Sequence, residues 1–107
     1  NKLQLNIDNN TIYNGVWATS VVFSKSLKLS KHKIIKELSK LDVPVRPFFY
    51  PLSSLPAYSK YNSGSKKRNP NAYDISNRAV TLPSHYNLTN KQITYICNIF
   101  IKLISKK

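Results

Sequence analysis

Residues 43–56 read Val-Pro-Val-Arg-Pro-Phe-Phe-Tyr-Pro-Leu-Ser-Ser-Leu-Pro and hold four of the chain's six prolines. Proline fixes φ at about −65°, donates no backbone hydrogen bond and moves the residue before it out of the helical region. The segment is therefore predicted to be stiff and non-helical, with Arg46 as its one charge. A rigid connection of this kind places its side chains against another surface. The residues predicted to be extended are Val43, Arg46, Tyr50 and Leu55.

The chain has 107 residues and a single cysteine, Cys97. This length suits one small domain or a piece of a larger protein. One cysteine excludes an internal disulfide and suits a reducing compartment, and no apolar run approaches the roughly 18 residues of a membrane span. We therefore expect a cytoplasmic protein without a membrane partner. Because the chain opens at Asn1 and contains no methionine, we also expect a trimmed or excised segment.

The net charge of +13 raises the question of a nucleic-acid partner. Only residues 66–68 form a run of three basic side chains, and the other lysines are dispersed along the chain. Arginine, which recognises phosphate and guanine in bidentate fashion, is a small minority of the basic residues. Solvated lysines are therefore favoured, and a small basic nucleic-acid-binding module remains the alternative.

The apolar pattern predicts strands and helices that alternate along the chain. Residues 1–13 form a lead-in segment that alternates like a short strand, and residues 16–23 carry β-branched and aromatic side chains on both faces, as in a central strand. Residues 58–69 show no period and are predicted to be a flexible basic loop. The order predicts an α/β or α+β fold, a small sheet of about three to four short strands with helices packed on it. The shorter strands are predicted at residues 45–49 and 79–83.

The first two helices are predicted from their boundary residues. Ser30 is the expected N-cap of the first helix, and Pro44 is expected to stop it. Its lysines, Lys31 among them, lie largely outside the apolar stripe and should be solvated. Asn69, followed by a proline, resembles the start of a second helix that runs to about Arg78. The apolar stripe of the first helix consists of Ile34, Ile35, Leu38 and Leu41.

The last helix is the best specified element of the sequence. Thr89 and Gln92 form a capping box at its start, and Lys106 and Lys107 suit its partially negative C-terminal end. Cys97 lies on its apolar stripe and is predicted to be a core residue rather than a nucleophile. The stripe at helical spacing consists of Ile93, Ile96, Cys97, Phe100, Leu103 and Ile104.

Residue chemistry alone identifies no catalytic, cofactor-binding or metal-binding residue. The possible metal ligands His32, His85 and Cys97 lie far apart in sequence, whereas a metal site needs several ligands at short spacing. The four carboxylates include no pair with the spacing of an acid and a base. With two glycines in the chain, a glycine-rich phosphate loop is excluded.

Residues 46–56 resemble the C-terminal domain of DegT-like sugar-nucleotide aminotransferases, pyridoxal-phosphate enzymes with the aspartate-aminotransferase fold. Further stretches are similar to that family in the same order, so that the resemblance covers roughly residues 14–104 and makes residues 1–107 one domain. They are residues 17–23, 43–46, 69–72 and 78–84, and then Leu88 and Thr89 before an amphipathic helix.

The resemblance implies both a fold and a parent activity. The fold is the small C-terminal domain of fold-type I pyridoxal-phosphate enzymes. The activity is transfer of an amino group from an amino acid, usually glutamate, to a nucleotide-linked keto sugar, as in surface polysaccharide or deoxyaminosugar biosynthesis. In that family the cofactor and its lysine belong to a large N-terminal domain. By this resemblance the chain is a fragment, inactive alone, whose partners are the large domain and a second copy of the parent.

The resemblance also implies that four residues are candidates for substrate binding: Arg46, Phe49, Tyr50 and Ser53. The planar cation of Arg46 suits the carboxylate of an amino donor or a phosphate of the nucleotide sugar, but it could equally pair with the chain's own carbonyls. Phe49 and Tyr50 could face the substrate, although aromatic residues beside a sheet are more often core. Ser53 stands where many family members carry a histidine, so a contact that depends on histidine is in doubt.

Overall fold

The structure is a computed structural model that describes residues 2–105, and its centre is a four-stranded antiparallel sheet. The spatial order of the strands is β1-β2-β4-β3, so the β-branched segment predicted to be central does lie inside the sheet. In the register of β2 and β4, Val21 lies opposite Val80. The strands are β1 (Leu3–Leu5), β2 (Ser20–Phe23), β3 (Arg46–Pro47) and β4 (Ala79–Thr81).

Within residues 2–105, four helices and three short 3₁₀ turns accompany this sheet. Together they confirm the predicted α+β class, a small sheet with helices packed on it. The 3₁₀ turns span Lys25–Leu27, Leu52–Ser54 and Pro56–Tyr61. The helices are α1 (Lys31–Ser39), α2 (Ser65–Arg68), α3 (Pro70–Asn77) and α4 (Asn90–Ser105).

One hydrophobic core joins the sheet to α1 and α4. Phe23 of β2 stacks on Phe100 of α4, with ring centroids 5.9 Å apart. Ile34 and Leu38 of α1 are fully buried in the same cluster. Burial of large apolar side chains is the main stabilising contribution, about 1.5–3 kcal/mol for each one. The other members are Val21, Leu27, Leu29, Val43, Val80 and Ile99.

The strand predicted at residues 16–23 is shorter in the structure, because it begins only at Ser20. Val16 has a positive φ of 40°, which a β-branched residue rarely adopts, and its amide donates to the side chain of Asn14. This local turn keeps Trp17 out of the sheet and leaves it 80% exposed. The strand predicted at 45–49 is likewise reduced to the two residues of β3.

The first helix begins as predicted but is ended by a different residue. The Ser30 hydroxyl accepts a hydrogen bond from the third amide of the helix. At the other end, Asp42 adopts a left-handed conformation and the Val43 amide bonds back to the Leu38 carbonyl. The helix is therefore over before Pro44 is reached. Leu41, predicted on the apolar stripe, lies beyond the helix.

The prediction of irregular chain at residues 58–69 was wrong in part, since this segment contains a 3₁₀ turn and α2. The Arg68 guanidinium donates to the Ser63 carbonyl over 2.7 Å, so this basic side chain is held by its own turn. α3 follows as predicted, but the Asn69 side chain does not cap it. It donates instead to the Ser65 carbonyl of the preceding helix.

The capping box of the last helix is confirmed, because the Thr89 amide bonds to Gln92 and the Gln92 amide bonds to Thr89. The prediction that Cys97 is a core residue was wrong, since its side chain is exposed. Cys97 instead lines an open, largely apolar groove between α4 and the sheet, together with Val21 and Leu82. The predicted role of Lys106 and Lys107 lies outside the described residues. Across residues 2–105, no helix has the length and apolarity needed to cross a bilayer.

Candidate functional site

Arg46 and Phe49 line one open groove of about 750 Å³, which we call the Arg46 groove. Three segments form its walls: the chain around β3, the end of β4 with the loop after it, and the residues that precede β2. Strand pairing in the sheet brings these three segments together. Arg46 lies opposite Thr81, and the Leu82 amide bonds to the Thr19 carbonyl over 2.8 Å. The lining residues are 17–18, 44–47, 49 and 81–85.

The side chain of Arg46 is exposed and faces this groove. Among residues 2–105, no carbonyl or carboxylate forms a hydrogen bond or an ion pair with its guanidinium. Pairing with the chain's own carbonyls, one of the two alternatives left open by the sequence, is therefore not observed. The guanidinium presents five donors in a planar fork, which suits a carboxylate or phosphate ligand.

An exposed aromatic pair lines the same groove as Arg46. The rings of Trp17 and Phe49 lie 6.0 Å apart and are inclined by 38°, and Phe48 meets Phe49 edge-on at 5.7 Å. Phe49 is 58% exposed, so it is not part of the core. Trp17 was not among the residues predicted for the site. The tryptophan in this apolar stretch was a signal for a binding surface, but the β-branched residues around it led to the prediction of a central strand instead.

Tyr50 and Ser53 do not join the other two candidates. The Tyr50 ring lies against the ammonium of Lys31, with the nitrogen 3.7 Å from the ring centroid. The Ser53 hydroxyl lies 3.2 Å from the Tyr73 hydroxyl and lines a separate depression. The structure thus brings together two of the four predicted residues, and a substrate contact for Tyr50 or Ser53 stays a prediction.

His85 also lines the Arg46 groove. Its Nδ1 accepts a hydrogen bond from the Asn87 amide over 3.2 Å, and its ring packs against Tyr86. The bond fixes the ring and leaves Nε2 as the free nitrogen. Among the residues that the structure describes, no three metal-ligating side chains come together at this or any other point.

The residues of the groove do not by themselves fit a pyridoxal-phosphate cofactor. Covalent attachment of that aldehyde needs a lysine amine, and the lining residues include none. Arg46 is the one permanently charged side chain among them, enough for one anionic group of a ligand. The groove can therefore bind and orient an anionic, partly aromatic molecule, and the chemistry of a cofactor would have to be supplied by other residues.

Two curated proteins with the same printed name are similar to this chain over nearly its whole length. It is 29% identical to the GDP-perosamine synthase of Vibrio cholerae over 90% of the chain, and 27% identical to the GDP-perosamine synthase of Escherichia coli O157:H7 over 98%. An uncharacterized protein of Methanocaldococcus jannaschii is 30% identical over 75% of the chain. The matches cover 26%, 27% and 21% of those proteins, so the chain spans about a quarter of their length.

A family model describes the same stretch of sequence. Residues 2–101 match the model of the DegT/DnrJ/EryC1/StrS aminotransferases. The match includes all four strands, α1 to α3 and most of α4, together with both sides of the Arg46 groove. It agrees with the resemblance found in the sequence motifs. The chain therefore belongs to the DegT/DnrJ/EryC1/StrS aminotransferase family.

Proposed function

We propose that the chain is the C-terminal small domain of a sugar aminotransferase that uses pyridoxal phosphate and acts on a nucleotide-linked keto sugar. The observation that carries the proposal is the Arg46 groove, which an unpaired guanidinium and exposed aromatic rings line together in a member of this family. The printed names of two relatives, GDP-perosamine synthases, support a nucleotide sugar as the substrate class.

Within that enzyme, Arg46 binds an anionic group of a substrate. Two groups suit it, the carboxylate of the amino donor, glutamate being the expected one, and a phosphate of the nucleotide sugar. Phe49 and Trp17 supply an apolar wall that shields this ion pair from water. Shielding matters because an ion pair is stronger where the local dielectric constant is low. Tyr50 and Ser53 belong to this proposal only as secondary candidates.

The rest of the active site lies in a large N-terminal domain. The relatives are about four times as long as this chain, which leaves room for such a domain. It holds the cofactor and its lysine, so the chain alone is inactive. The complete enzyme is a homodimer, as in the family that the motifs resemble, and works in the cytoplasm on precursors of a surface polysaccharide or of another deoxyaminosugar product.

The test compares the 107-residue chain with the complete protein encoded by its gene. Both are incubated with pyridoxal phosphate, glutamate and a nucleotide-linked 4-keto sugar, and formation of the amino sugar and 2-oxoglutarate is measured. We expect turnover by the complete protein and none by the chain. Turnover by the chain alone, or a complete protein whose remaining sequence is unrelated to a cofactor domain, would overturn the proposal.

A further inference from the structure

The buried ammonium of Lys31 is the feature that the proposed function leaves unexplained. Lys31 is the first residue of α1 and was predicted to be solvated, yet only 4% of it is exposed. Its Nζ donates to the Ser76 hydroxyl over 3.3 Å and lies over the Tyr50 ring. Across residues 2–105 no carboxylate forms an ion pair with it.

A buried cation without a counter-ion is costly. Removing an ammonium from water disfavours its charged form, and contact with an aromatic face offsets that penalty only in part. An ammonium also has three N–H donors, and the hydrogen bond to Ser76 uses one of them. Burial accordingly lowers the pKa of Lys31. The site is therefore one that an anion would stabilise.

Lys31 lines an open hollow of about 620 Å³, which we call the Lys31 hollow. Its walls come from α1, α2, α3 and the chain at residues 50–54. The basic side chains of His32 and Lys66 also line it. The buried Ser76 hydroxyl accepts from Lys31, so its own hydrogen is available to a ligand.

One carboxylate, that of Asp74, also lines the hollow, and it could repel an anion. Its charge is already compensated. Arg78 donates to it from Nη2 over 2.7 Å, and the Lys25 ammonium lies 3.4 Å away. The balance of charge in the hollow is therefore positive.

We propose that the Lys31 hollow binds a phosphate group, either free phosphate or the phosphate of a monoester. Lys31 and Ser76 are the buried residues of the site, and Lys66 is an exposed residue of its lining. Donors that converge from several directions suit a tetrahedral oxyanion better than a planar carboxylate. The hollow shares no lining residue with the Arg46 groove, so the inference does not rest on the proposed function.

The test is calorimetric titration of the protein with inorganic phosphate and with phenyl phosphate, at constant ionic strength kept with chloride. We expect saturable binding that Lys31→Met weakens at least about tenfold, as loss of a charge-assisted contact should. Methionine is an unbranched, uncharged side chain one atom shorter than lysine, so it removes the ammonium and keeps most of the apolar stem. The matched control is Lys36→Met, an exposed lysine of the same helix outside the hollow, which should bind like the unaltered protein.

Lys66→Ala and Ser76→Ala provide a second measurement if Lys31→Met does not fold. Lys66 is exposed, so its replacement leaves the core intact, and each variant should weaken phosphate binding severalfold. Stronger binding of phenyl phosphate would identify a monoester as the ligand, and stronger binding of inorganic phosphate would identify the free anion. Absence of saturable binding, or an equal loss in Lys31→Met and Lys36→Met, would overturn the inference.

Discussion

The ammonium of Lys31 lies 3.7 Å from the centroid of the Tyr50 ring, and this contact joins the start of α1 to the proline-rich segment that follows β3. Lys31 also contacts α3, because its ammonium donates a hydrogen bond to the Ser76 hydroxyl. Three segments distant in sequence thus meet at one buried cation. The consequence is that the charge of Lys31 is coupled to the stability of the fold.

Raising the pH should stabilise the protein through Lys31. Because burial lowers its pKa in the folded state, the unfolded chain binds the extra proton between the folded and the unfolded pKa. The free energy of unfolding therefore rises with pH across that alkaline interval. In urea denaturation without phosphate, Lys31→Met should lack this rise and Lys36→Met should keep it. Parallel pH profiles of the two variants would contradict the prediction.

Acid should destabilise the protein through Asp74. The hydrogen bond from Arg78 holds the pKa of this carboxyl below its usual value. Its contribution is present above the unfolded pKa, about 3.9, and is lost as the pH falls through the folded pKa. Asp74→Asn should lower the free energy of unfolding at neutral pH by about 1 kcal/mol, a modest amount because the ion pair is partly exposed. The variant should also lose less stability than the unaltered protein as the pH falls below about 4.

Arg78→Lys tests the geometry of the same pair. Arg78 donates from Nε to both carboxylate oxygens at 3.1 Å and also bonds to the Phe23 carbonyl. Lysine keeps the positive charge but lacks the planar fork. Arg78→Lys should therefore lower the free energy of unfolding at neutral pH by most of the amount expected for Asp74→Asn. An acid profile of Asp74→Asn that coincides with that of the unaltered protein would show that the pair does not contribute.

Thr89→Ala should destabilise the protein by about 0.5–2 kcal/mol, because the hydroxyl satisfies an otherwise unpaired amide at the start of α4. Urea denaturation followed by circular dichroism measures the change. Thr94→Ala is the matched control, since Thr94 is exposed one turn later and bonds only to the Asn90 carbonyl. Alanine is a good helix former, so this control should lie within about 0.5 kcal/mol of the unaltered protein. Equal losses at both positions would exclude a specific capping effect.

Local signals in the sequence predicted α1, α3, α4 and the two central strands. The capping box of Thr89 and Gln92 and the N-cap Ser30 form their hydrogen bonds within one helical turn. These helix starts can therefore be predicted from neighbouring residues alone. The failures depend on distant contacts. Lys31 donates to Ser76, 45 residues away, and Cys97 lines an open groove whose other side is formed by the sheet.

The candidate site was predictable to the extent that its residues are neighbours in sequence. Arg46 and Phe49 lie in one rigid stretch, and both line the groove. Trp17 reaches them only because β2 pairs with β4, a long-range register that composition does not reveal. Tyr50, next to Phe49, turns to the Lys31 hollow instead.

Arg46→Ala in the complete protein should raise the KM of one substrate at least about tenfold, because it removes a charge-assisted contact to an anionic group. Steady-state kinetics with each substrate varied in turn shows which KM changes, and so whether the guanidinium binds the amino donor or the nucleotide sugar. Arg46→Lys keeps the charge without the planar fork and should have an intermediate effect. Arg68→Ala is the control, since that guanidinium bonds to its own turn, outside the groove. Kinetics unchanged by Arg46→Ala, in a variant with the unaltered protein's thermal stability, would remove Arg46 from the substrate site.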